Sequence, residues 1–251
     1  MTQHRPIQLI AHRGDARDYP ENTLPAFSSA LALGLRCLEL DVHLSADGVP
    51  MVIHDHQLER TTGLPGTVFE HTASELAHME AAETARFGAR FRGTCIPRLT
   101  DVLALLTQRP EVTLFVEVKR ASLRQFGHDL VVAHVLDAIR PWREQCVVIS
   151  FDLPAVHRAR KSGGVAIGWV LPAYDEHNRL KSEALQPQYL FGDRDQLPPA
   201  ARLWRGPWRW AIYEVDTPAD ARALNARGAD YIETKAVRPM SEALRDEAPG
   251  P

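Results

Sequence analysis

The chain has 251 residues, a formal net charge of −3 and 45% hydrophobic residues, values that fit one large globular α/β domain or two small ones. Lysine and arginine are scattered rather than gathered into tracts, which argues against a nucleic-acid partner. The polar start and the lack of an apolar run of ~20 residues predict no signal peptide and no stable membrane insertion. We therefore expect a cytoplasmic protein, and the sequence leaves its oligomeric state open.

Short apolar runs alternate with helical patterns along the chain. Strands are predicted at Ile7–Ala11, Cys37–Val42, Val49–His54, Thr113–Val118, Val147–Phe151, Ala166–Val170, Gln188–Phe191, Trp210–Glu214 and Asp230–Glu233. Helices are predicted at Leu24–Leu33, Leu99–Thr107, Leu130–Ile139, Ala155–Ser162 and Ala219–Ala226.

Alternating strands and helices indicate parallel βα units, and eight such units in this length favour a closed (β/α)8 TIM barrel. An open doubly wound sheet is the alternative. Its GxGxxG fingerprint is missing after the first strand, where His12-Arg13-Gly14 stands instead.

One stretch, Leu58–Arg98, interrupts this alternation. It contains turn-forming residues, a helix-like segment at Ala73–Ala85 and no clear barrel strand. We expect a small insertion here, at about 58–98, over one mouth of a single barrel domain that spans residues 1–251.

Carboxylates stand near the carboxyl ends of two predicted strands, where barrel enzymes have their active sites. Glu39 and Asp41 alternate along one strand and therefore share a face, and Glu117 occupies a similar place on another. Three converging carboxylates repel one another unless a cation lies between them, and an all-oxygen set suits Mg²⁺ or Ca²⁺ better than zinc. The alternative is pairing with arginine or lysine, and Lys119 could be either a partner of Glu117 or a phosphate contact.

Two histidines, His12 and His54, each follow an apolar predicted strand. Histidine titrates near neutral pH, so a facing pair can act as general base and general acid. A phosphodiester needs both, because the nucleophile loses a proton and the alkoxide leaving group gains one. Arg13, next to His12, can bind two phosphate oxygens at once.

In this order and at these spacings, five motifs resemble those of the glycerophosphodiester phosphodiesterase family. They are His12-Arg13-Gly14, Pro20-Glu21-Asn22-Thr23, Glu39-Leu40-Asp41-Val42, His54-Asp55 and Glu117-Val118-Lys119. The resemblance implies a barrel with a small insertion after the second strand. It also implies a small-molecule substrate, a glycerophosphodiester that is hydrolysed to sn-glycerol 3-phosphate and an alcohol.

The resemblance also implies residue roles. Glu39, Asp41 and Glu117 would bind one divalent cation, Mg²⁺ or Ca²⁺, and His12 and His54 would be the acid–base pair. Arg13 and Lys119 would lie near the phosphate, and Glu21 and Asn22 would line or brace the first loop.

The chain departs from the family at positions that bear on the choice of head group. His56 follows His54-Asp55 where proline is common, and Glu233-Thr234-Lys235 replaces the common Thr-Asp. Trp204, Trp208 and Trp210 cluster near the end of the chain, where they would either shape a head-group pocket or pack structurally.

Two other functions remain open at this point. One is a lysophospholipase D-like phosphodiesterase on the same barrel, which would want an apolar loop facing the membrane. The other is a non-catalytic module that binds phosphoglycerol.

Overall fold

The computed structural model describes residues 6–199 and 202–245. Within them, eight parallel strands form a closed barrel in the order β1-β9-β8-β7-β6-β5-β4-β2, with β1 also paired to β2. This confirms the predicted (β/α)8 barrel over the open sheet. The strands are β1 (Gln8–His12), β2 (Cys37–Leu44), β3 (Pro50–Val52), β4 (Thr113–Val118), β5 (Cys146–Ser150), β6 (Ala166–Val170), β7 (Tyr189–Asp193), β8 (Arg209–Tyr213) and β9 (Tyr231–Thr234).

Helices follow most of the barrel strands and cover the outside of the barrel. Side chains cap several of them: Asp152 accepts a hydrogen bond from the backbone of Ala155, and Asp175 from that of Asn178. The helices are α1 (Leu24–Ala32), α2 (Glu59–Thr62), α3 (Ala73–Leu76), α4 (Thr84–Phe87), α5 (Leu99–Ala104), α6 (Arg120–Phe126), α7 (His128–Ile139), α8 (Leu153–Gly163), α9 (Glu176–Leu185), α10 (Pro218–Arg227) and α11 (Val237–Arg245). None of these helices is long and apolar enough to cross a bilayer.

Side-chain alternation along the strands divides the apolar residues into two layers. Leu38 and Leu40 of β2 pack outward against the helices, whereas Phe115 of β4 packs inside the barrel with Ile10 and Phe191. Alternate residues of a strand share a face. The inward-facing residues of β2 and β4 that lie nearest the barrel mouth are therefore carboxylates. The barrel interior is thus apolar at its centre and acidic at one end.

The strand register sets those acidic positions side by side. Asp41 of β2 pairs with Glu117 of β4, and Glu39 pairs with His12 of β1. Adjacent strands lie ~4.8 Å apart, so this pairing sets Asp41 beside Glu117 and Glu39 beside His12, in two successive layers at the barrel mouth.

An insertion follows the second barrel strand, as expected. It begins with β3, which pairs antiparallel with β2, and has its own apolar core of Met51, Leu58, Val68, Leu76 and Ile96, among others. It contacts the loop after β1 at the carboxyl mouth, where the carboxylate of Glu83 accepts from the backbone N–H of Glu21 at 2.6 Å.

The predicted strand Val49–His54 is present but shorter, because only Pro50–Val52 pairs with β2 as one arm of a hairpin. One local prediction inside this region is wrong. The predicted helix Ala73–Ala85 is two four-residue helices, α3 and α4. Between α3 and α4 the chain pairs with the segment around Thr94, where the backbone N–H of Ala81 donates to the carbonyl of Thr94. Glu83, just before α4, has a left-handed backbone conformation with φ of 42°.

Candidate active site

A cavity of about 200 Å³ occupies the carboxyl end of the barrel. We call it the catalytic cavity. The structure brings together in its wall most of the residues singled out from the sequence. Those residues are His12, Arg13, Glu39, His54, Glu117 and Lys119, joined by Phe151, Phe191, Tyr213, Glu214 and Glu233, among others.

The three predicted ligand carboxylates converge beside this cavity. One oxygen from each of Glu39, Asp41 and Glu117 lies within 4.8 Å of the others. Burial, followed by the neighbouring charges of Asp41 and Glu233, raises the pKa of Glu39 well above its usual range. A buried set of carboxylate oxygens with excess negative charge fits a hard divalent cation such as Mg²⁺ or Ca²⁺.

Two cationic side chains lie against the same carboxylates. The Nζ atom of Lys119 is 3.1 Å from an oxygen of Asp41 and 3.0 Å from one of Glu117, and Nε of Arg13 is 3.1 Å from the other oxygen of Asp41. Burial opposes ionisation of Asp41, but Lys119 and Arg13 outweigh it and hold its pKa well below the usual range. Asp41 is therefore an anion at neutral pH, and both cationic residues also line the catalytic cavity.

The loop after β1 bends sharply to reach these acids. Arg13, Gly14 and Asn22 all have positive φ. A Cβ on Gly14 would lie 2.7 Å from the backbone of Ala26, so glycine is required there by both conformation and space.

Glu21 and Asn22 brace this loop. The amide of Asn22 donates to Asp41 at 2.8 Å, and its oxygen accepts from the backbone N–H of Asp41 at 3.3 Å. Glu21 accepts from Arg13 at 3.1 Å and from Arg60 at 2.6 Å. These hydrogen bonds orient Asp41 and the guanidinium of Arg13, and neither Glu21 nor Asn22 has to contact a ligand for this.

His12 ends β1 with 7% of its surface exposed. Its Nε2 lies 3.9 Å from Glu39, its Nδ1 lies 3.6 Å from Glu214, and Nδ1 has no hydrogen-bond partner among the described residues. Burial, followed by the charge of Arg13, lowers the pKa of His12 well below 6.5. The imidazole is consequently neutral at pH 7, the form in which it can accept a proton.

His54 is held by a chain of polar contacts. Its Nδ1 lies 2.7 Å from an oxygen of Asp55, and the other oxygen of Asp55 accepts from Arg60 at 2.5 Å. A carboxylate on Nδ1 fixes the ring orientation and leaves Nε2 available for proton transfer. Burial, followed by Arg13 and Lys119, lowers the pKa of His54 despite the opposing charge of Asp41.

Sequence reasoning assigned no role to Asp55, Arg60, Glu214 or Glu233. Asp55 lies within a family-like motif, and Glu233 stands at a strand end, so both carried a signal. Glu233 is 3% exposed, and one of its oxygens has no hydrogen-bond partner among the described residues. Burial, followed by Glu117 and Asp41, raises its pKa to about 8.

The three tryptophans do not line the catalytic cavity. Trp204 stacks on Tyr174 with ring centroids 4.0 Å apart, and Trp210 donates to the carbonyl of Trp204 at 2.9 Å. Together with Trp208 they border a separate groove of about 520 Å³ outside the barrel, which contains none of the predicted site residues. Packing is therefore the role that the structure supports for them, whereas Tyr213 does line the catalytic cavity.

The closed barrel, with carboxylates and two imidazoles gathered at one mouth, defines the class of the protein: a TIM barrel with a candidate site for a metal ion and for acid–base chemistry. The model of the glycerophosphoryl diester phosphodiesterase family matches residues 12–236, and the chain belongs to that family.

Curated relatives agree with this assignment. A glycerophosphodiester phosphodiesterase from Caldanaerobacter subterraneus is 34% identical over 155 residues, 61% of each chain. One from Bacillus altitudinis is 41% identical over 120 residues, 48% of each chain. The aligned part thus spans about half to three fifths of these relatives.

Solved structures show the same fold across the chain. A phosphodiesterase from Oleispira antarctica, determined with the product sn-glycerol-3-phosphate, has a TM-score of 0.82 at 22% identity and covers 96% of this chain and 97% of its own. A putative glycerophosphoryl diester phosphodiesterase from Silicibacter pomeroyi has a TM-score of 0.80 at 24% identity, with coverages of 97% and 94%.

Proposed function

We propose that this chain hydrolyses glycerophosphodiesters to sn-glycerol 3-phosphate and an alcohol. The observation that carries the proposal is the convergence of carboxylates from β2 and β4 with His12 and His54 on one cavity. Family membership supports it, and so does the Oleispira neighbour, whose structure contains that product.

In this proposal Glu39, Asp41 and Glu117 bind one divalent cation, Mg²⁺ or Ca²⁺. The cation supplies electrostatic stabilisation of the charge that develops on the phosphoryl oxygens. Arg13 and Lys119 then contact the phosphate, since both carry positive charge at the edge of the same cavity. Glu21 and Asn22 keep Arg13 and Asp41 in position.

His12 acts as the general base. Its lowered pKa keeps the ring neutral at pH 7, so it can take the proton from the 2-hydroxyl of the substrate's glycerol. That oxygen attacks phosphorus, and a cyclic phosphate forms as the bond to the alcohol breaks.

His54 acts as the general acid and protonates the departing alcohol. Its contact with Asp55 aligns the ring and favours the protonated form, which partly offsets the burial that lowers the pKa of His54. Water then opens the cyclic phosphate with the two histidines in reversed roles, which regenerates the starting protonation states.

The lysolipid alternative receives no support from the insertion. An enzyme that takes substrate from a membrane would present apolar side chains near its mouth. Among the described residues of the insertion, the one exposed large hydrophobic side chain is Leu64. A water-soluble diester is the better match to this surface.

We also propose that residues 1–251 form one barrel domain, supported by the span of the family match. A cytoplasmic location is supported by Cys37 and Cys146, which are buried free thiols and suit a reducing compartment.

Turnover of a soluble glycerophosphodiester by histidine variants tests the function. His12→Ala and His54→Ala should each lower kcat by ~10²–10⁴, the usual contribution of a general acid or base. The control is His157→Ala, which changes an exposed histidine on α8. EDTA should abolish turnover, and Mg²⁺ or Ca²⁺ should restore it.

Near-normal turnover by both variants would refute the catalytic assignment. Tight binding of the diester without turnover at saturating metal would instead support the non-catalytic module.

A further inference from the structure

A second cavity, of about 220 Å³, adjoins the catalytic cavity. The two share His54, Glu117, Lys119 and Phe151 in their walls. A phosphodiester has two substituents on one phosphorus, and a phosphate held at this shared wall would extend one substituent into each cavity.

The proposed function determines which substituent goes where, and the assignment of the second cavity rests on it. His12 lines only the catalytic cavity, and it is the base for the glycerol hydroxyl. His54 lines both cavities and protonates the leaving alcohol. The glycerol half therefore lies in the catalytic cavity, and the alcohol occupies the second one, which we call the head-group cavity.

The carboxylates of the head-group cavity are already neutralised by partners. Asp55 pairs with Arg60 at 2.5 Å, and Glu117 pairs with Lys119 at 3.0 Å. Arg120 and Arg124 also line this cavity.

Neither of these two arginines has a carboxylate partner among the described residues. Paired carboxylates and unpaired guanidinium groups leave the cavity with excess positive charge.

The position of these arginines places their positive charge beside the bound substrate. The Cζ atom of Arg120 lies 4.9 Å from the ring centroid of Phe151, a residue of the shared wall, so the guanidinium is held at the junction of the cavities. Arg124 follows four residues later on α6 and thus on the same helix face. Guanidinium groups bind phosphate and carboxylate oxygens through paired N–H donors.

We infer that the head-group cavity selects glycerophosphodiesters whose alcohol carries its own negative charge, as a phosphate monoester or a carboxylate. His56 adds a further polar group to the same wall. It is held by stacking on Phe69, with centroids 5.6 Å apart.

A matched pair of substrates tests this selectivity. Glycerophosphoglycerol and its terminally phosphorylated form differ by one phosphate group. The ratio of their kcat/KM values should favour the phosphorylated diester by roughly tenfold at low salt, because two exposed guanidinium contacts each contribute a modest factor. That ratio should shrink as ionic strength rises and screens the contacts.

Arginine variants locate the source of the preference. Arg120→Gln combined with Arg124→Gln should bring the ratio close to one, and Arg124→Gln alone should lower it partway. The control, Arg140→Gln, changes an exposed arginine just beyond the end of α7, before β5, and should leave the ratio unchanged.

A ratio at or below one in the unmodified protein, or an unchanged ratio in the double variant, would overturn the inference while turnover itself upheld the proposed function. If neither diester were hydrolysed, the proposed function would fail, and equilibrium binding of the same two diesters would still decide the charge preference.

Discussion

Replacing Glu233 with glutamine should stabilise the metal-free protein, and by more as the pH rises. Glu233 is buried next to Glu117 and Asp41, and burial together with those charges raises its pKa from 4.5 to about 8. The folded protein therefore holds a proton on Glu233 that the unfolded chain has already released between these two pH values. Stability contributed by this group is present below pH 4.5 and is lost as the pH rises through 8.

The size of the effect follows from the shift. Each pKa unit corresponds to ~1.4 kcal/mol, so Glu233 lowers the free energy of unfolding by ~3 kcal/mol at pH 7 and by roughly 4 kcal/mol at pH 8. At pH 5 the penalty is below ~1 kcal/mol. Glutamine keeps the shape of the side chain and removes the charge, so the variant should escape this loss.

Urea unfolding in EDTA at pH 5, 6.5 and 8 measures this difference. The gain in unfolding free energy for Glu233→Gln should grow by ~3 kcal/mol across the series. Glu214→Gln is the control, because its side chain is 44% exposed and its charge is solvated. A gain that stayed constant or declined with pH would show that burial and neighbouring carboxylates do not raise the pKa of Glu233.

Three further predictions concern the site and its loop. Asp55→Asn removes the carboxylate that aligns His54 and should lower kcat by ~10–100-fold with little change in KM, measured by steady-state kinetics. Gly14→Ala forces a Cβ to within 2.7 Å of Ala26 and should lower the free energy of unfolding by ~2 kcal/mol or more, measured by urea titration. Because the pKa of His12 is lowered, the acid limb of kcat/KM should lie below pH 6.5; a limb above pH 7 would contradict His12 as the base.

Much of the barrel could be predicted because parallel strands are buried on both faces. Such strands read as continuous apolar runs, and β4 and β6 match their predicted bounds. Carboxylates within or after those runs have few structural uses, so Glu39, Asp41 and Glu117 stood out. The same logic picked out His12 at the end of β1.

Other elements left no such pattern. Helix α9 buries Asn178 and Ser182 rather than an apolar stripe, so nothing in its sequence marks a helix packed on a barrel. The segment between α3 and α4 favours a helix locally, but tertiary pairing with residues near Thr94 overrides that preference.

The long-range contacts of the site could not be predicted from the sequence either. The chain from Glu21 through Arg60 and Asp55 to His54 joins residues up to 39 positions apart. Spacing along the sequence cannot show which of many arginines meets which carboxylate. The raised pKa of Glu233 likewise depends on Asp41 and Glu117, which belong to two other strands.

Cation binding and diester turnover can be measured in the same EDTA-treated samples, by calorimetric titration with Mg²⁺ or Ca²⁺ followed by an assay of released sn-glycerol 3-phosphate. We expect a cation to bind at the site of Glu39, Asp41 and Glu117 and to switch on this release, and we expect Asp41→Asn to lose both binding and turnover. Full turnover in EDTA, or unaltered binding and turnover in Asp41→Asn, would show that these carboxylates do not form the catalytic metal site.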